Sequence, residues 1–278
     1  MPWFESADLT TIHFQDWGRG APVVFVSGWG LSCEMWQYQM AALVDHGVRT
    51  IAYDRRGHGR SDRPGRGYDY DTLSDDLACL LEHLDLRDVT LVGHSMGDGE
   101  IVRYLSRHGE HRVSKIVLVA PIGPLPVATD NNPGGINRAL IESVRNGWKQ
   151  DFTAWLDANA DAYVGKGLPG CNVSDGLVEW TKRDLMRTSL RAIIDCNRTA
   201  VETDRRDDAR CVRVPTLIIH GDHDASMPAA LSGQVYAELV VGSTFKLYEH
   251  APHGLYLTHH ARLASDLLAF RHSGELAA

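Results

Sequence analysis

The chain is poor in cysteine, and its few cysteines show no paired spacing. The 278 residues include only five: Cys33, Cys79, Cys171, Cys196 and Cys211. An odd number of widely separated cysteines cannot form the framework of a small disulfide-stabilised fold. We therefore expect all of them to be reduced thiols.

The sequence also lacks an excess of positive charge and a long apolar run. Its formal net charge is -8 at pH 7, with 28 Lys and Arg against 36 Asp and Glu. A negative chain without a basic segment is not expected to bind nucleic acid. No stretch is long and apolar enough to span a membrane, and residues 1–8 do not resemble a secretory signal. The sequence thus predicts a cytoplasmic protein with neither a nucleic-acid nor a membrane partner.

Short apolar strands alternate with amphipathic helices from Thr10 to Ala120. This rhythm predicts an α/β fold, a parallel sheet with crossover helices. The alternation stops at Pro121, and residues 122–210 show helical patterns without a convincing strand. We expect one core domain formed by residues 1–121 and 211–278, with a helical lid inserted at 122–210. With 278 residues and 44% hydrophobic content, the chain is large enough to bury such a core.

A glycine-flanked serine follows one of the predicted strands. Residues 93–97 are Gly-His-Ser-Met-Gly, preceded by apolar β-formers and followed by a helical pattern. At such a turn the serine adopts a strained backbone conformation, and only small residues two positions before and after it avoid a clash. Ser95 is therefore the candidate nucleophile.

A serine nucleophile needs a base and a carboxylate, and after this kind of turn the acid should precede the histidine. Two loops at the carboxyl ends of predicted strands offer them, where parallel sheets bind ligands. In the first, Asp224 is favoured over Asp222, which directly follows the strand and is suited to holding the turn. In the second, His253 is favoured over His250, because it lies between a proline and a glycine that can present its ring.

Five motifs are spread along the chain: YDRRGHGRSD (53–62), GYDYD (67–71), LVGHSMGDGE (91–100), HGDHD (220–224) and YEHAPHGL (248–255). Together they resemble the signatures of the bacterial cofactor-free haloperoxidases, also called perhydrolases and aryl esterases. The resemblance implies the α/β-hydrolase fold, with a mostly parallel eight-stranded sheet, flanking helices and an inserted helical lid. It also implies that Ser95, Asp224 and His253 are nucleophile, acid and base, that no cofactor is needed, and that the chain self-associates.

An oxyanion hole needs two backbone N–H groups. One is expected from Met96, the residue after the nucleophile, and the resemblance implies the N–H of Trp29 as the other. The loop around Trp29 departs from the family pattern His-Gly-aromatic-Pro, with Ser27 in place of the histidine and Gly30 in place of the proline. The resemblance links peracid formation to that proline. The sequence therefore favours cleavage of a small carboxylic ester or lactone, with perhydrolysis by hydrogen peroxide as a side activity.

Other charged residues receive structural interpretations. Asp98 stands where the family has glycine, and we expect the N–H groups at the start of its helix to stabilise it. Residues 54–56, Asp-Arg-Arg, are expected to brace the loop behind the nucleophile through a turn and ion pairs. The histidines near the carboxyl terminus lack a recognisable zinc spacing, so no metal site is expected.

Three alternative functions share the fold. Haloalkane dehalogenases and epoxide hydrolases use a carboxylate nucleophile, which the serine at position 95 disfavours. A lyase that uses the triad as a base, and a ligand receptor without catalysis, are the other two, because fold alone does not determine function.

Overall fold

The computed structural model describes residues 2–272, and its strands form one sheet. The strands are β1 (Trp3–Glu5), β2 (Thr11–Trp17), β3 (Pro22–Val26), β4 (Arg49–Tyr53), β5 (Val89–His94), β6 (Val113–Val119), β7 (Thr216–Gly221) and β8 (Thr244–Tyr248). Their order across the sheet is β1-β2-β4-β3-β5-β6-β7-β8. The β1–β2 and β2–β4 pairs are antiparallel, and the others are parallel. The mostly parallel eight-stranded sheet is confirmed, with β1 lying before the first strand located from the sequence pattern.

Helices cover both faces of this sheet. They are α1 (Gln37–Val44), α2 (Tyr70–His83), α3 (Gly97–His108), α8 (Gly233–Leu239), α9 (Leu255–Thr258) and α10 (His260–His272), with 3₁₀ turns at Cys33–Trp36 and Ala229–Leu231. Alternate residues of β3 enter two separate cores: Val23 and Phe25 pack on the side of α1 and α10, and Val24 and Val26 on the side of α2 and α3. The central strands β3, β5 and β7 are buried on both faces and are therefore largely apolar runs.

Four further helices lie between β6 and β7. They are α4 (Arg138–Val164), α5 (Asp175–Leu185), α6 (Leu190–Glu202) and α7 (Arg206–Cys211), and we call them the helical insertion. The sequence pattern predicts two helices here, at about 136–146 and 150–162. The structure joins them in α4, which is kinked at Asp151, where φ is -155° and ψ is 91°. The Asp151 carboxylate accepts the backbone N–H of Ala154 at 2.9 Å, as a helix cap does. The short helix α7 was not predicted.

The division into a core (1–121 and 211–278) and a lid (122–210) stays a prediction, and residue 1 and residues 273–278 lie outside the described residues. Over residues 2–272, no helix is both long and apolar enough to cross a membrane.

Candidate active site

Ser95 lies at the sharp turn between β5 and α3. Its φ is +52°, in the left-handed region that residues other than glycine rarely adopt. A Cβ on Gly93 would lie 2.8 Å from the Gly97 carbonyl oxygen, and a Cβ on Gly97 would lie 2.6 Å from that of Val26. The backbone passes so closely here that only glycine fits on either side of the serine.

His253 links Ser95 to Asp224 through two short contacts. Its Nε2 atom lies 2.9 Å from Ser95 Oγ, and its Nδ1 atom lies 2.7 Å from Asp224 Oδ2. Asp224 is in the loop after β7 and His253 in the loop after β8, so the three side chains converge at the carboxyl ends of the strands. Each residue is only 5% exposed. The rival candidates Asp222 and His250 are exposed and have no contact with Ser95 within the described part of the chain.

The Asp224 carboxylate has three hydrogen-bond partners, and His220 lies beside it while its Nε2 atom is 2.9 Å from the Met227 carbonyl oxygen. Its Oδ1 atom accepts the backbone N–H groups of Ser226 at 2.9 Å and Met227 at 2.8 Å. Its Oδ2 atom lies 3.1 Å from His220 Nε2 as well as next to His253. Burial alone would raise the pKa of Asp224, but His253 and His220 outweigh it and hold the pKa well below its usual range. The contact between His220 and Asp224 was not predicted from the sequence, although a histidine at the end of an apolar strand could have indicated a polar partner in the loop that follows.

The loop that carries His253 is held from two sides. His94 Nε2 lies 3.0 Å from the His253 carbonyl oxygen, so this nitrogen must carry the donated proton. Burial, with a smaller effect of His253, lowers the pKa of His94 to about 3, and the ring is therefore neutral. From the helical insertion, the Tyr163 carbonyl accepts the N–H of Gly254 at 2.8 Å, and the Tyr163 ring meets His253 edge-on at 5.5 Å.

Among the hydrogen bonds of residues 2–272, none is donated by the backbone N–H of Trp29 or Met96, the two groups expected to form the oxyanion hole. The loop containing Trp29, residues 27–32, passes directly over the nucleophile, and we call it the oxyanion loop. A Cβ on Gly28 would lie 3.6 Å from Ser95 Cβ and 2.5 Å from His94 Nδ1. Unpaired N–H groups of residues packed this closely are rare and are suited to bind a ligand oxygen.

Hydrogen bonds tie the oxyanion loop to the helical insertion. The Trp29 indole N–H donates to the Ile193 carbonyl (2.8 Å), the Thr188 hydroxyl to the Gly30 carbonyl (2.8 Å), and the Ser32 N–H to the Asp184 carboxylate (2.9 Å).

Gly30 in this loop has φ +74°, and a Cβ there would lie 2.5 Å from Leu185 Cδ2. Proline cannot adopt this φ, so the backbone here differs from that of the family pattern.

Aromatic rings surround the Trp29 side chain. Its ring centroid lies 4.8 Å from that of Trp148, 5.9 Å from Trp155 and 6.1 Å from Phe152, all on α4. The contact between the core and the helical insertion is therefore apolar and aromatic on this side of the oxyanion loop.

Comparison with known proteins agrees with this geometry. The sequence pattern of the family described as alpha/beta hydrolase fold matches residues 21–162. The chain belongs to this family. It is 40% identical to a non-heme haloperoxidase from Rhodococcus erythropolis over 271 residues, covering 97% of this chain and 99% of the relative. It is 35% identical to a bifunctional esterase/perhydrolase from Acinetobacter calcoaceticus, again covering 97% and 99%. An esterase structure from Exiguobacterium antarcticum superposes with a TM-score of 0.92 at 31% identity, covering 98% and 99%.

Within the α/β-hydrolases, the chain is thus a serine hydrolase of the cofactor-free haloperoxidase, perhydrolase and esterase group. The resemblance stated from the motifs is confirmed.

Asp98 lies three residues after Ser95 and is completely buried in this α/β-hydrolase. Burial raises the pKa of Asp98 to about 6, against the lowering effect of Arg205, whose Nη2 atom lies 3.8 Å from Asp98 Oδ1. Asp98 Oδ2 accepts the N–H of Gly123 at 3.2 Å. Arg205 donates in turn to the Gly123 carbonyl and packs its guanidinium on the Tyr70 ring at 4.6 Å. The carboxylate therefore contacts the start and the end of the insertion as well as its own helix.

Residues 54–56 of this α/β-hydrolase form the hydrogen bonds and ion pairs expected from the sequence, but only Asp54 and Arg55 contact the loops near the site. Asp54 Oδ1 accepts the N–H of Cys33 at 2.7 Å, and Oδ2 accepts that of Arg60 at 2.8 Å. Arg55 donates to the oxyanion loop, and Arg56 forms a bidentate pair with Asp76 at 2.7 Å.

One group in residues 2–272 has the composition of a metal site: His13, Cys33 and Asp54. Both Asp54 oxygens already accept backbone N–H groups. Burial and the nearby Asp54 raise the pKa of the Cys33 thiol far above its usual range, so the sulfur is protonated. The three residues lie in β2, in the 3₁₀ turn at Cys33–Trp36 and directly after β4, and we interpret the group as contacts that join these segments.

Proposed function

We propose that this serine hydrolase cleaves small carboxylic esters or lactones through an acyl-enzyme on Ser95, with Asp224 and His253 completing a catalytic triad. The observation that carries the proposal is the continuous Ser95–His253–Asp224 hydrogen-bond chain at a strained elbow. Trp29 and Met96 would supply the oxyanion hole.

In the first half-reaction, Ser95 Oγ attacks the carbonyl carbon while His253 Nε2 takes the hydroxyl proton. The negative oxygen that forms is stabilised by the N–H groups of Trp29 and Met96. The C–O bond to the leaving alcohol then breaks, and His253 gives its proton to that alcohol. Water repeats the sequence on the acyl-enzyme, releases the carboxylic acid and restores Ser95. Hydrogen peroxide in place of water would release a peracid.

The experiment that tests this proposal combines covalent labelling with turnover. Wild type and Ser95→Ala are treated with a fluorophosphonate and assayed with a short-chain aryl acetate, with and without hydrogen peroxide, while acid and peracid are both monitored. We expect labelling at Ser95 alone and loss of ester hydrolysis in the variant. Equal hydrolysis by both proteins would refute the nucleophile, and proton-transfer activity without an acyl-enzyme would favour a lyase.

Two further expectations from the sequence stay predictions. Self-association is tested by sedimentation, and a cytoplasmic location by fractionation of the native cells.

A further inference from the structure

A buried arginine underlies the oxyanion loop. Arg55 Nη2 donates to the Ser27 carbonyl at 2.6 Å, and Nη1 donates to the Gly28 carbonyl at 3.2 Å. Its planar guanidinium fork therefore fixes two successive peptide groups. The Gly28 carbonyl belongs to the same peptide unit as the N–H of Trp29.

In a trans peptide, the carbonyl and the N–H of one unit point in opposite directions. Because Arg55 holds the Gly28 carbonyl on the face of the oxyanion loop that it contacts, the Trp29 N–H points to the opposite side of the loop. We infer that Ser95 lies on that side, because a Cβ on Gly28 would lie 3.6 Å from Ser95 Cβ. Rotating this peptide plane would turn the N–H away from the reacting carbonyl. The Arg55 contact opposes this rotation, together with the longer hydrogen bond from the Leu31 N–H to the same carbonyl at 3.4 Å.

Arg55 is itself fixed to the helix that begins after the nucleophile. Its Nε donates to Glu100 Oε1 at 2.7 Å, and the Tyr53 hydroxyl donates to Glu100 Oε2 at 2.8 Å. All three side chains are buried. Glu100 lies on α3, whose first turn adjoins Met96, so the pair connects the elements that carry the two oxyanion donors.

We propose that Arg55, held by Glu100, is a positioning residue that orients the Trp29 N–H for the oxyanion hole. The proposal rests on the serine-hydrolase mechanism above. A buried ion pair contributes little net stability compared with apolar packing. Its directional bonds to two carbonyls supply what apolar side chains cannot, a fixed orientation of the peptide.

The test compares Arg55→Lys with a matched control, Arg56→Lys. Arg56 is the next residue, is equally buried and also forms a bidentate pair, but its hydrogen bonds go to Ser6, Asp8 and Asp76. Lysine keeps the charge beside the carboxylate in both variants but lacks the planar fork. The readouts are kcat and KM for an aryl acetate, the affinity for a trifluoromethyl ketone that forms a tetrahedral adduct with serine, and the melting temperature.

We expect Arg55→Lys to lower kcat by about 10- to 100-fold with KM changed less than about 3-fold, because only a transition-state contact is disturbed. Affinity for the ketone should fall by the same factor as kcat/KM. Arg56→Lys should lose a similar amount of thermal stability while kcat stays within about 2-fold. Equal kinetic effects in the two variants would overturn the proposal.

If Arg55→Lys does not fold, the double variant Arg55→Gln/Glu100→Gln removes both charges together and still offers a partner to Tyr53. We expect the same loss of kcat. Full kcat in a folded double variant would overturn the positioning role and leave the serine-hydrolase proposal intact. Absence of any Ser95 adduct in the wild type would overturn the serine-hydrolase proposal and the positioning role with it.

Discussion

His220 Nε2 lies 3.1 Å from Asp224 Oδ2, the same oxygen that accepts from His253. His220 Nε2 is also 2.9 Å from the Met227 carbonyl oxygen, so its N–H is shared between two acceptors. Two backbone N–H groups bind the other oxygen of Asp224. This arrangement leaves the carboxylate ionised and without freedom to rotate, so it can hold the His253 ring in one orientation and one tautomer.

The first prediction concerns this carboxylate. Asp224→Asn should lower kcat for an aryl ester by roughly 10³- to 10⁴-fold, because an amide favours the wrong tautomer of His253. Asp222→Asn is the matched control in the same loop, and its exposed side chain predicts kcat within about 2-fold of wild type. The assignment of the acid fails if the variant at 222 is the inactive one.

The second prediction concerns Gly30. Both Gly30 and Gly47 have positive φ, +74° and +72°, but a Cβ at Gly47 would meet nothing within 4 Å. Gly47→Ala should cost about 1 kcal/mol from backbone strain alone. Gly30→Ala should cost about 2 to 4 kcal/mol, because its Cβ also collides with Leu185. Denaturant unfolding of both variants measures the difference, and equal losses would contradict the close packing at Gly30.

The third prediction concerns pH. The pKa of Asp98 is raised to about 6 in the folded protein, from an ordinary value of 3.8. Between these pH values the folded protein keeps a proton that the unfolded chain has released. The contribution of Asp98 to the free energy of unfolding is therefore present below pH 4 and is lost as the pH rises through 6. Asp98→Asn removes this dependence.

From pH 4 to pH 7, wild type should therefore lose about 2 to 3 kcal/mol of stability more than Asp98→Asn does. Unfolding midpoints of both proteins across this range give the comparison. Parallel pH profiles would show that Asp98 is ionised in the folded state at acidic pH.

The fourth prediction concerns the hydrogen bond from Trp29 to the insertion. Trp29→Phe keeps an aromatic ring but removes the donor to the Ile193 carbonyl. Trp148→Phe is the control, because the Trp148 indole N–H has no acceptor among residues 2–272. Both variants lose ring volume. The free energy of unfolding should fall by about 1 kcal/mol more in Trp29→Phe than in Trp148→Phe, because only Trp29→Phe also loses a hydrogen bond. Indistinguishable melting temperatures would mean that this bond contributes nothing.

Local patterns were sufficient to locate the elements that carry the site. The strands that end near Ser95 and Asp224 are apolar runs, the strand before His253 has an alternating pattern typical of a sheet edge, and parallel strands bring the loops that follow them to one edge of the sheet. Strand β1 was missed because its three residues are defined by pairing with β2 and not by their own pattern. The kink in α4 was predicted only as a break between two helices.

The pairings behind the site could not be predicted from the sequence in the same way. Arg55 and Glu100 are 45 positions apart, and nothing in either local pattern indicates that both are buried. Asp98 was interpreted as a helix-terminal carboxylate, and its contact with Arg205 depends on where the insertion returns to the core. Such contacts arise from packing between distant segments, which a single sequence does not reveal.

The bonds between the oxyanion loop and the helical insertion constrain how this protein can be engineered. An insertion transplanted from a relative would have to place acceptors for Trp29 and Ser32 and a donor for Gly30 at the same positions. A chimera whose new insertion does not supply these groups would lose the support of its oxyanion loop. Transfer of substrate preference therefore requires residues 27–32 and the insertion to be exchanged as one unit.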